Sequence, residues 1–160
     1  MANKQRYRRG PQKVAKGRID AGVKIQVGDL VGVDLATDYV VPASAYINAD
    51  IAVFRAIFAG VLIEGATSGS ETRDTECLIG YDAVYEFDLN TPAAAHYGAG
   101  TPLILSTGST NLDNQILEIG AAATAVAKAA EDIAQGALSA FVNIQSQTFT
   151  SPPPPPPPGP

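Results

Sequence analysis

The stretch Tyr81–Leu89, YDAVYEFDL, decides the fold. Tyr81, Ala83, Tyr85, Phe87 and Leu89 point one way, while Asp82, Val84, Glu86 and Asp88 point the other. A period of two with an apolar and a polar face is the pattern of a half-buried β-strand. The same pattern extends outward along the chain. Val23, Ile25 and Val27 alternate with Lys24 and Gln26, Gly28-Asp29 signals a turn, and Val31, Val33 and Leu35 resume the period. Asp38 to Val41 is a short β-branched run stopped by Pro42. Further runs are 59–65, 76–80, 103–106, 115–119 and 138–149. Many short strands with Gly, Pro and Asn between them predict a mainly β body, a small barrel or a sandwich.

One helix interrupts this series, at about 49–59. Ile51, Phe54 and Phe58 fall at helical spacing, Asn48 or Asp50 suits the cap, and Gly60 suits the end. Residues 121–135 support two readings. Their alanines favour a helix, yet Thr124 and Val126 also fit a strand.

Charge divides the 160-residue chain more sharply than its net −5 suggests. Residues 1–24 carry eight cations against Asp20 alone, a net +7. The other 136 residues carry three cations against fifteen acids, a net −12. Three parts follow: a basic arm (1–19), a β-rich body (20–150) and a polyproline tail (151–160). Lys4, Arg6, Arg8, Arg9, Lys13, Lys16 and Arg18 make the arm a candidate partner-binding segment, seeking an acidic surface or a polyphosphate. An acidic neighbouring copy is one such surface. Nucleic acid is the alternative, since cations beside Tyr7 meet the minimum for it; the acidic body opposes a duplex beyond the arm's reach. Asp82, Glu86 and Asp88 form the complementary candidate, a partner-facing acidic strand. In the tail, Pro152 to Pro158 cannot join a ladder. They predict a polyproline II rod of roughly 22 Å, either a groove ligand or a stiff spacer.

The composition argues against chemistry. Cys77, the one cysteine, excludes an intramolecular disulfide and a multi-cysteine metal site. It sits among Asp74 and Glu76, which oppose a thiolate, and reads as a buried structural residue. His96, the one histidine, has Ala, Tyr97 and Gly98 as its sequence neighbours, with no nucleophile or carboxylate among them, and reads as a loop residue. The Gly-rich segments 98–101 and 107–110 lack the GK[ST] end of a phosphate loop and read as turns. The expectation is a protein that is not an enzyme, with no catalytic, cofactor or metal residues. No apolar stretch reaches the roughly 18 residues of a membrane span, and no apolar core follows the basic N-terminus as in a secretory signal. A β-barrel enzyme or sugar-binding domain built on 81–89 is a further alternative, and requires a pocket that joins those acids to polar groups from other strands.

The order of segments carries a resemblance. KIQVGDLVGVD (24–34) is followed by DYVVPAS (38–44), a helix near 50–58 and FAGVLIEGAT (58–67); then come YDAVYEFDL (81–89), GTPLILS (100–106) and AFVNIQSQTF (140–149). Over residues 22–149 this resembles the capsid cement, or head decoration, proteins of tailed bacteriophages. The resemblance implies a β-barrel or β-tulip-like body with 122–129 as a strand. It implies a structural virion protein, made in the host cytoplasm and carried on the capsid outer surface. Such proteins bind the major capsid protein and copies of themselves, as trimers or dimers, and bridge neighbouring shell subunits. The arm and tail lie outside the resemblance. A role as the major shell protein itself fits poorly with 160 residues.

Overall fold

In a computed structural model the described residues are 7–10, 12–107 and 110–149. Lys4, Arg6, Gly108, Ser109 and the polyproline tail lie outside them. The described residues are mainly β, with a closed five-strand barrel and one short α-helix among them.

In chain order the strands are β1 (Tyr7–Arg9), β2 (Lys13–Ile19), β3 (Lys24–Ile25), β4 (Leu30–Val33) and β5 (Val40–Pro42). The helix α1 (Ile51–Ile57) separates these from β6 (Phe58–Glu64), β7 (Thr67–Ser68), β8 (Thr75–Tyr81) and β9 (Val84–Leu89). The last four are β10 (Pro102–Leu105), β11 (Ile116–Ile119), β12 (Ala127–Ala129) and β13 (Ser139–Ile144).

The barrel runs β9-β11-β10-β12-β13 and closes because β13 also pairs with β9. The β9–β11 pair is parallel; the others are antiparallel. Closure leaves little open edge along these strands, the exception being the start of β9, which lies beyond its short pairing with β11. Tyr85, Phe87, Leu103, Leu105, Leu117, Val142 and Ile144 fill the interior. Large residues face small ones across the ladder: Phe87 is opposite Ala140, and Ala127 and Ala129 are opposite Ile144 and Val142. Phe54 of α1 and Phe58 at the start of β6 complete this core, both fully buried.

A second antiparallel sheet runs β2-β8-β6-β4-β5. Ile19, Val31, Val40, Ala59, Leu62, Cys77 and Ile79 pack inside its curl, joined by Ile25 of the small β3–β7 pair. Its two edges come together at Gly17, where an added Cβ would lie 2.5 Å from the Val40 side chain. Pro42 sits on the edge strand β5, where a missing N–H costs no internal ladder bond. The Asn114–Gln115 segment ties the two sheets. The Leu30 amide donates to the Asn114 carbonyl (2.7 Å), and Gln115 Nε2 donates to Asp29 Oδ1 (2.6 Å). Asp29 is only 3% exposed, and its other oxygen accepts from the Gln26 amide.

Several local expectations change. Residues 81–89 are not one strand. Tyr81 ends β8, Asp82 turns the chain with φ 52°, and β9 starts at Val84 in the other sheet. Asp82 therefore leaves the acidic face on which alternation placed it. The helix is shorter than 49–59: a 3-10 turn, Asn48–Asp50, precedes α1, and neither Asn48 nor Asp50 supplies a side-chain cap. Gly60 lies inside β6 rather than at the helix end. Of the two readings left open for the alanine-rich segment, the strand holds at β12, which covers only the end of the 122–129 span the resemblance implies and follows a 3-10 turn at Ala122–Thr124; the barrel needs small side chains between β10 and β13. Leu35 leaves the strand and is 73% exposed.

Candidate functional site

The arm and the acidic residues meet on one chain. Of the arm, 13–19 is an integral strand rather than an appendage: β2 pairs with β8 from Lys13↔Tyr81 to Ile19↔Thr75, and Ile19 is buried. The part before it crosses to the barrel, where β1 pairs with the start of β9, Tyr7 opposite Tyr85 and Arg9 opposite Val84. β9 has this stretch of edge to offer because β11 pairs only with its far end, at Asp88 and Leu89.

Ion pairs reinforce this seat. Arg8 donates to Glu86 Oε2 through Nε (2.9 Å) and Nη2 (2.7 Å), a two-point contact with fixed geometry. Ser139 Oγ donates to the other Glu86 oxygen. Arg9 pairs with Glu131, on the loop after β12. Lys13 Nζ reaches Asp82 Oδ2 at 2.9 Å, and that hydrogen bond holds the ammonium pKa above its ordinary value. Each side chain in these pairs is about a third exposed or more. Such pairs are individually weak and fade with salt.

Apolar contacts set the register. The Tyr7 ring meets Tyr85 edge-on at 6.2 Å, and Gln12 Nε2 donates to the Tyr85 hydroxyl at 2.8 Å. Tyr85 is fully buried, and burial raises its pKa. Its hydroxyl fits because Gly80 has no side chain; an added Cβ would stand 2.4 Å away. A cleft of about 250 Å³ runs beside the seat, with Tyr7, Gln12, Gly28, Glu64 and Tyr85 in its wall.

The remaining candidates fall elsewhere. Arg18 lies over the Tyr39 ring at 4.7 Å and 3.6 Å from Asp74, at the far end of β2. Lys16 is exposed on the outer face of β2, opposite Leu78. Asp88 is half-buried near the end of β9, opposite Ser139. The acids therefore do not act as one stripe: two hold arm cations, and the third stands apart. Cys77 is buried inside the second sheet, and burial pushes its thiol up to about 11. His96 does have a carboxylate near it, unlike its sequence neighbours: it lies on the surface 3.4 Å from Asp132, with both side chains about two-thirds exposed.

A second surface had no signal in the periodicity. Ala45, Ile47, Ala49, Ala52, Val53 and Ala56 are exposed on and before α1. Ala121–Ala123 are exposed beside them, where Arg55 Nε anchors to the Ala125 carbonyl. Ile47 is 49% and Val53 56% exposed. An apolar, charge-poor face of this kind is what protein contact surfaces use. Exposed alanines escape a hydropathy reading because their burial depends on tertiary neighbours rather than period.

Among the described residues no three His, Cys, Asp or Glu side chains gather as a metal site requires, and no helix is long and apolar enough to cross a membrane. No known family model matches the sequence, and no curated protein matches it significantly.

Proposed function

We propose that the chain is a structural virion protein, a capsid cement that binds the outside of a phage head and bridges neighbouring major capsid subunits. The observation that carries this reading is the arm's seat. A basic N-terminal segment is held on the outside of a closed barrel by a two-residue ladder and exposed ion pairs. That is the build of a connector, a rigid body with a detachable strap. The barrel agrees with what the resemblance to head decoration proteins implies, and the charge-poor face around α1 supplies a second contact surface. On a symmetric shell many such weak contacts add as avidity.

The test is binding to heads prepared without this protein. The purified chain should saturate them at a ratio fixed by shell symmetry and raise the temperature at which they release DNA. Arg8→Glu with Arg9→Glu should weaken that binding and reduce its dependence on salt. Heads that neither bind the chain nor gain stability would overturn the reading. Affinity for free duplex DNA, falling steeply with salt, would support the nucleic-acid alternative instead.

A further inference from the structure

We propose that β1 is an exchangeable strap, which leaves its own barrel and occupies the same seat on a second copy of this chain. This goes beyond shell binding and stands whether or not a phage head is the partner.

Three features point to it. First, the strap is separable. Among the described strands the ladder partner of β1 is β9, and Tyr7, Arg8 and Arg9 are all exposed. β2, which follows, is anchored along its whole length in the other sheet. Only Gly10-Pro11-Gln12 connects them. Gly10 has φ +91°, a left-handed conformation suited to glycine that turns the chain back toward its own barrel. Second, the seat is self-complementary. Glu86 and Glu131 are held by Arg8 and Arg9, and an identical copy offers the same carboxylates at the same spacing. Exchange therefore makes the same contacts, and hinge geometry and concentration decide the outcome; this is the economy of strand swapping between identical chains. Third, a vacated seat exposes the amide edge of β9 at Val84 and Tyr85 and uncovers the Tyr85 ring. An unpaired edge recruits a strand of matching chemistry, and β1 of another copy matches by construction. Gln12 and Lys13 lie on the β2 side of the hinge. Their bonds to Tyr85 and Asp82 remain within one chain and mark where exchange stops.

The test uses Arg8→Lys, which keeps the charge and places an amine by Glu86. A zero-length carbodiimide joins that amine to the Glu86 carboxylate as an amide with loss of water, the carbodiimide being hydrated to its urea. Equal amounts of ¹⁴N and ¹⁵N chains are mixed, equilibrated and cross-linked. Exchange predicts mixed-isotope pairs that rise with protein concentration toward about half of all pairs and decline as salt is added. Pairs of one isotope only, at every concentration, would overturn the proposal. A second measurement covers a weak cross-linking yield. Arg8→Glu/Arg9→Glu and Glu86→Arg/Glu131→Arg chains each repel their own seat but complement one another. Sedimentation should show dimers in the mixture and monomers in each alone; monomers in the mixture would equally refute exchange.

Discussion

Gly60 shows how much a single position decides. It has φ +155°, and an added Cβ would lie 2.3 Å from the Gly80 carbonyl oxygen of the neighbouring strand. A backbone oxygen cannot swing aside as a side-chain end can. Gly60→Ala should therefore destabilise the fold by about 2–5 kcal/mol, combining backbone strain with overpacking, as measured by denaturant unfolding. Glu71 is a second informative residue. Its carboxylate accepts from the Ser68 amide and hydroxyl and from the Gly69 amide, and these bonds lower its pKa from 4.5 to about 2. The folded state keeps Glu71 ionised where the unfolded chain would protonate it. Its contribution is therefore complete above about pH 4.5 and lost as pH falls toward about 2. The Ser68 and Gly69 amide resonances should titrate with a midpoint near that lower value, and Glu71→Gln should abolish the transition. A midpoint at the ordinary glutamate value would remove this turn from the account.

At the scale of elements, β2 and β1 belong to one basic segment but do different work. Removing residues 1–12 should leave both cores intact, with a modest fall in Tm from loss of Tyr7, Gln12 and the Arg8 contact. Removing 1–19 also takes out Ile19 and strips one edge of β8, so that chain should fail to fold; circular dichroism with thermal melting separates the two cases. Equal behaviour would mean that β2 is not structural. This division was invisible in the sequence because charge dominates both halves: the inward positions of β2, Ala15, Gly17 and Ile19, give only a weak apolar period between lysines and arginines. The strands 58–64, 75–81, 102–105 and 116–119 were legible because their apolar periods survive in the fold. The Asp82 break was not, because alternation continues through it: Tyr81 and Ala83 keep the period although one ends β8 and the other precedes β9. The alanines at 127 and 129 left helix and strand both open, for a different reason. Helix propensity is a local preference, and the narrow gap between β10 and β13 selects small side chains whatever their propensity.

At the scale of the molecule, the basic arm and the acids Asp82, Glu86 and Asp88 stood out by charge as surfaces for a partner, whereas the structure pairs Arg8 with Glu86 and Lys13 with Asp82 within one chain, and Glu131, which holds Arg9, gave no signal. The meeting of arm and acids on one barrel was not legible, since it depends on β9 having a free stretch of edge beyond β11. The closed barrel, the exposed seat of β1 and the charge-poor face around α1 are the features on which the proposed adhesive role rests. The proposed cement role is tested most directly by the copy number of this chain, relative to a major capsid protein, in any phage particles purified from cells that produce it. The cement reading predicts a ratio near one, or a simple fraction set by symmetry. Absence from the particle, or a handful of copies, would contradict it.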